Sequence, residues 1–76
     1  MLRCADGSLY TGAAKDLKRR LRQHLAGQAS RYTRARLPVV LAWSRRVRTW
    51  PGALREERRL KGLTRSQKLE LIDEAR

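Results

Sequence analysis

Residues 9–24, LYTGAAKDLKRRLRQH, pass from a short stretch of aromatic and small residues directly into a strongly basic segment. In an extended chain Leu9 and Thr11 share one face while Tyr10 and Gly12 share the other. Asp16 supplies an acceptor for the orphan N–H groups of a helix start, and Gly27 is a natural terminator. The passage therefore predicts a strand that turns into a helix over about residues 17–26. It also gathers a tyrosine, a glycine, paired arginines and the single histidine of the chain, the residue types that phosphate chemistry uses.

Working outward, Asp6-Gly7 just upstream is a hairpin signal, and a two-residue type I′ turn is expected there. It would join residues 2–4 to a return strand over residues 8–13. Residues 28–37 read as a polar, basic connection. Pro38 then opens the apolar run VVLAW, residues 39–43, which predicts a buried strand. Thr49 and Pro51 mark the start of a second helix, about residues 52–61, ending at Gly62. Thr64 with Gln67 forms a capping-box pattern for a third helix, about residues 65–74. The expected fold is α+β: a small, mostly antiparallel sheet, built from a hairpin plus a third strand and flanked by three helices, in the order β-β-α-β-α-α.

The 76 residues are expected to form a single domain over residues 1–76, with a small core that contains no phenylalanine. Nineteen Lys and Arg against seven acids give a net charge of +12, which opposes compaction and favours a polyanionic partner. Nucleic acid is the leading candidate, because neutralising phosphates releases condensed counterions. Eleven basic residues and one acid, Asp16, fall between Lys15 and Arg48, so the positive field is concentrated in the first two-thirds. One cysteine, Cys4, allows no internal disulfide and reads as a small core residue of a strand. No apolar run is long enough for a membrane span, and a soluble, cytoplasmic protein is expected.

Helical projection isolates the unusual polar positions. In the first helix Leu17, Leu21 and Leu25 form an apolar stripe, with Arg20 and His24 one turn apart along its edge. Arg20 has a plain alternative role, laying its aliphatic stem over the core with its head in water. In the second helix Glu57 falls within the apolar arc of Ala53, Leu54 and Leu60. A carboxylate there is costly unless paired or bound to a cation. An ion pair with Lys61 at i+4 and a metal ligand in a cleft both satisfy it.

The ordered segments CADGSLYTGAAKDLKRRLRQH, YTRARLPVVLAW and ALREERRLKGLTRSQKLELI resemble the GIY-YIG nuclease superfamily, in particular its small single-domain bacterial members. The nuclease domain of the excinuclease is a more distant likeness. By that resemblance Tyr10-Thr11-Gly12 matches the second tripeptide, Arg20 the helical arginine, His24 the histidine one turn later, and Glu57 the metal-binding glutamate. The resemblance implies a metal-dependent endonuclease-like domain acting on DNA phosphodiesters, with a role in DNA repair or recombination and a single divalent ion, Mg2+ or Mn2+, held by Glu57. Tyr10, Arg20, His24 and Glu57 are then the candidate catalytic residues. Lys15, Lys18, Arg19, Arg31, Tyr32, Arg34 and Arg36 are the candidate nucleic-acid contacts. The tyrosine of the first tripeptide has no counterpart in MLRC, so a truncated first strand is expected, from a shortened form or a start placed too late. The rival reading is a non-catalytic basic module that binds nucleic acid, with Tyr32 and Trp43 stacking on bases. A helix-turn-helix around Gly62 ranks below both, because Glu70, Asp73 and Glu74 would place negative charge near DNA.

Overall fold

The computed structural model describes residues 1–75. Strands β1 (Leu2–Arg3) and β2 (Leu9–Tyr10) lead into helices α1 (Leu17–Leu25) and α2 (Arg31–Arg34). Strand β3 (Val40–Leu41) follows, then helices α3 (Trp50–Lys61) and α4 (Arg65–Glu74). The sheet order is β2-β1-β3 and both pairings are antiparallel. Leu2 faces Tyr10 on one side and Leu41 on the other, so the first strand is the central one. The expected α+β class and antiparallel sheet hold, with a fourth helix added.

The hairpin turn differs from the expected type. Gly7 N–H donates to the Cys4 carbonyl and Cys4 N–H to the Ser8 carbonyl, each at 2.9 Å, which makes a three-residue loop. Only Gly7 (φ 85°) has a positive φ; Asp6 does not, so the turn is not type I′. The Asp6 carboxylate accepts from the Ser8 backbone N–H at 3.0 Å, the Ser8 hydroxyl at 2.6 Å and Arg36 Nε at 2.9 Å. Those partners hold Asp6 on the ordinary side of φ space and leave the left-handed position to glycine.

The helix ends follow local chemistry. Asp16 accepts from Arg19 N–H at 3.1 Å, and Gly27 (φ 74°) carries the chain away from α1. The Thr49 hydroxyl accepts from Gly52 N–H at 3.1 Å to start α3. Thr64 and Gln67 complete a reciprocal capping box at α4. Each such cap is worth roughly 1 kcal/mol, a large share of what a domain this small can spare.

The segment expected as one polar connection contains α2, capped by the Ser30 hydroxyl accepting from Tyr32 N–H at 3.1 Å. The run read as a buried strand is also corrected. Only Val39 is buried; Val40 (58% exposed) and Leu41 form a two-residue edge strand. It pairs with β1 through Leu2 and Arg3, and just beyond it the Met1 carbonyl accepts from Ala42 N–H at 2.9 Å. The core under the sheet gathers Leu2, Cys4 and Val39, with Tyr10 and Leu21 packed against it. Leu60 of α3 and Ile72 of α4 are buried as well. In α1 the apolar stripe is only partly covered, since Leu17 is 44% and Leu25 49% exposed, whereas His24 is 4% exposed. The histidine, expected at the edge, is inside because α2 offers it a polar partner.

Candidate functional site

Tyr10 reaches the site from the end of β2, held by its place against the core and by two rings. His24 meets it edge-on with centroids 5.3 Å apart, and Tyr32 stacks on it at 5.9 Å and 25°. Arg36 covers Tyr32, its guanidinium carbon 3.8 Å from the ring centroid, while also pairing with Asp6. Tyr32 thus has Tyr10 stacked on its ring and the Arg36 guanidinium over it, while the residue as a whole stays 37% exposed. Hydrogen bonds from Ser8, with Arg36 adding to them, hold the Asp6 carboxyl below the usual carboxylate range.

Tyr10, Arg20, His24 and Glu57 line one cleft of about 110 Å³, together with Thr11, Gly12 and Lys61. Arg20 is half-buried, and its Nη1 donates to Gln23 Oε1 at 3.3 Å, which aims the guanidinium along the helix. Glu57 Oε2 accepts from the Ala13 backbone N–H at 2.6 Å, and its Oε1 lies 3.3 Å from Lys61 Nζ. The carboxylate therefore joins α3 to the passage between β2 and α1 and also carries the i+4 ion pair. His24 Nδ1 lies 2.8 Å from the Thr33 hydroxyl. Burial, and secondarily the nearby Arg20 charge, hold the imidazole pKa below its ordinary value.

A larger groove of about 620 Å³ shares the Thr11–Ala14 wall with this cleft. Lys15, Lys18, Arg45 and Arg46 line it, with Glu56 and Asp16 as its acids beside the shared Glu57. Lys15 Nζ sits 5.2 Å from the Trp50 ring centroid, a cation–π contact that holds it at the groove's edge. Arg45 is 3.6 Å from Glu56. Thr11 is buried and lines both depressions, and its hydroxyl has no hydrogen-bond partner among the described residues.

Of the candidate nucleic-acid contacts, Lys15 and Lys18 line the groove, while Arg19, Arg31, Tyr32, Arg34 and Arg36 line neither depression. The last four lie on or just after α2, where Tyr32 and Arg36 contact the hairpin and Arg34 lies beside Gly27. Arg45 and Arg46 are additions to the expected contacts, although the run of basic residues contains them. Thr33 is a further addition; it is 0% exposed, and no local pattern in the sequence reveals its partner.

No group of three or more His, Cys, Asp and Glu that could hold a metal occurs among the described residues. The donor set at Glu57 is one carboxylate in an open, basic cleft. That suits a hard divalent cation that keeps most of its waters, and does not suit zinc, which takes three or four protein ligands. Among the described residues no helix is long and apolar enough to cross a membrane.

Comparison with known proteins gives a consistent family. The GIY-YIG catalytic domain matches residues 1–70. UPF0213 proteins of Staphylococcus aureus strains Mu3, MW2 and COL are each 45% identical over 74 residues, covering 97% of this chain and 90% of the relative. No solved structure matches the chain at a significant level.

Proposed function

Because this chain belongs to the GIY-YIG family, we propose that it is a divalent-metal-dependent, nuclease-like hydrolase of DNA phosphodiesters. The observation that carries the reading is the gathering of Tyr10, Arg20, His24 and Glu57 around one small cleft beside a basic groove. The more distant likeness to the excinuclease nuclease domain supports a setting in DNA repair or recombination.

Each residue has a part that its surroundings support. Lys15, Lys18, Arg45 and Arg46 draw the phosphate backbone into the groove and fix its register. Arg20, a planar and permanently charged donor, binds a non-bridging oxygen of the scissile phosphate and stabilises the charge that builds up there. Tyr10, its ring clamped by His24 and Tyr32, presents its hydroxyl to the attacking water. His24, neutral and with its ring edge-on to Tyr10, provides a proton acceptor in the same cleft. Glu57 would hold the Mg2+ or Mn2+ ion, which supplies Lewis-acid polarisation of a phosphate oxygen. To do so it gives up its contact with Lys61, whose ammonium then remains in the cleft as a further cation for phosphate.

The test is nicking of supercoiled plasmid DNA in Mg2+ or Mn2+ by the wild type, Arg20→Ala and Glu57→Gln. Nicking by the wild type and a loss of at least about a hundredfold in each variant are expected. Cleavage that survives either substitution overturns the role assigned to that residue. Salt-sensitive binding without cleavage in either metal would assign the same two depressions to a non-catalytic nucleic-acid-binding module.

A further inference from the structure

We propose that Thr33 is a positioning residue, which holds His24 as the Nδ1–H tautomer and leaves Nε2 as a free proton acceptor at the cleft. The inference rests on the hydrolase reading for its catalytic meaning, and on geometry alone for the tautomer. His24 sits in the last turn of α1 and Thr33 in α2, and the turn at Gly27 folds the two helices together. Thr33 is the most deeply buried side chain described, and its hydroxyl oxygen makes two contacts. It lies 3.3 Å from the Ser30 carbonyl and 2.8 Å from His24 Nδ1.

A hydroxyl has one proton and two lone pairs. The Ser30 carbonyl, which also accepts from Arg34 N–H at 3.0 Å, takes the hydroxyl proton in the proposed arrangement, and a lone pair of Thr33 then faces the imidazole. Nδ1 is in that case the protonated nitrogen, and in a neutral ring Nε2 carries the lone pair. Nε2 has no hydrogen-bond partner among the described residues, and it is not sealed either. Thr11 Oγ1 is the sole fully enclosed and unpartnered side-chain polar atom described, so Nε2 keeps an opening. His24 lines the cleft, with Tyr10 against its ring.

The consequence is a relay that can accept a proton without rearranging. When an O–H bond in the cleft breaks, at the attacking water or at the Tyr10 phenol through one bridging water, the proton forms the Nε2–H bond, leaving the oxyanion and an imidazolium. The imidazolium's other N–H is already hydrogen-bonded to Thr33, and the proton on Nε2 passes on to water in the cleft that His24 lines. With the opposite tautomer Nε2 would be a donor and the relay would be blocked.

The chain contains one histidine, so its ring nitrogens can be read without assignment ambiguity. Long-range 1H–15N spectra above neutral pH should show a protonated Nδ1 and an unprotonated Nε2 in the wild type. Thr33→Ser should keep that pattern, and the near-isosteric Thr33→Val should move the ring toward Nε2–H. In plasmid nicking Thr33→Val should lower kcat by at least about tenfold with KM for DNA unchanged, and Thr33→Ser should restore it. A wild-type ring protonated on Nε2 overturns the proposal, as does a folded Thr33→Val protein with an unchanged spectrum. If Thr33→Val does not fold, the wild-type and Thr33→Ser spectra decide between the same two outcomes. The expected tautomer in a protein that makes no nicks would refute the hydrolase reading and leave the tautomer assignment standing.

Discussion

Affinity for DNA should collapse with salt by an amount that the groove's lining sets. Two cations, Arg20 and Lys61, line the small cleft and four, Lys15, Lys18, Arg45 and Arg46, line the groove, six in all. If each meets one phosphate of a duplex, Lys61 turning from Glu57 to do so, the slope of log K against log salt is about −5, at ~0.9 per contact. Raising salt from about 50 to about 200 mM then weakens binding roughly a thousandfold, about 4 kcal/mol. Removing Arg45 and Arg46 together should flatten the slope by between ~0.9 and ~1.8. The lower bound applies if Arg45 stays with Glu56, 3.6 Å away, and the upper if it swings to phosphate. Arg31→Ala with Arg34→Ala, on α2 and outside both depressions, should change the slope by less. The assay is fluorescence anisotropy with a labelled duplex in metal-free buffer at several salt concentrations. A slope near zero, or one that responds to the α2 pair and not to Arg45 and Arg46, would refute the assignment of this face.

Two further perturbations probe the charges inside the cleft. His24 is held below its ordinary pKa, chiefly by burial, so the native state binds fewer protons than the unfolded chain, whose histidine titrates near 6.5. Its contribution to stability is therefore complete above that value, begins to fall as pH drops through it, and is fully lost below the folded pKa. Thermal midpoints from about pH 8 to about pH 5.5 for wild type and His24→Gln, subtracted to cancel other groups, should show the wild type losing ground on acidification; a flat difference refutes it. Lys61→Met should strengthen Mn2+ binding severalfold, because the ammonium 3.3 Å from Glu57 Oε1 competes for the carboxylate; the pair is partly exposed and worth up to about 1 kcal/mol. Electron paramagnetic resonance of free Mn2+ measures this, and unchanged or weaker binding would remove Lys61 from the competition.

What the sequence disclosed, it disclosed where the physics is local. Asp16 and Gly27, Thr49 and Pro51, and Thr64 with Gln67 each act within a few residues, and the helices they delimit are where those residues place them. The antiparallel hairpin was equally legible from Asp6-Gly7. Its turn type was not, because Arg36, thirty residues away, helps fix Asp6. The burial of His24 depends on Thr33 in a four-residue helix too short to leave a periodic pattern. Likewise β-branched content predicts strand for residues 39–43, but whether a strand is covered depends on what packs over it. Here β3 lies at the sheet edge and keeps both its side chains exposed. Among the site residues, side-chain type and helical phase were readable, while hydrogen-bond partners from other elements were not.

In a domain this small the site and the scaffold draw on the same contacts, and Glu57 shows how that constrains any test of function. Its Oε2 takes the Ala13 N–H at 2.6 Å and so fastens α3 to the start of the α1 passage. Deleting the side chain would strand a half-buried amide and cost roughly 1–3 kcal/mol, enough to move Arg20 and Tyr10 relative to each other. Loss of nicking in Glu57→Ala would therefore follow from a purely structural carboxylate as readily as from a metal ligand. Glu57→Gln separates the two, since the amide oxygen still accepts from Ala13 while the charge that attracts the cation and Lys61 is gone. Tyr10 has the same double role, packed against the core cluster of Leu2, Cys4 and Val39 while lining the cleft, and Tyr10→Phe is its matching probe. At Glu57 and Tyr10, only substitutions that preserve the scaffold contacts can assign chemistry, whereas Arg20, whose side chain bonds only to Gln23 of its own helix among the described residues, can be truncated directly.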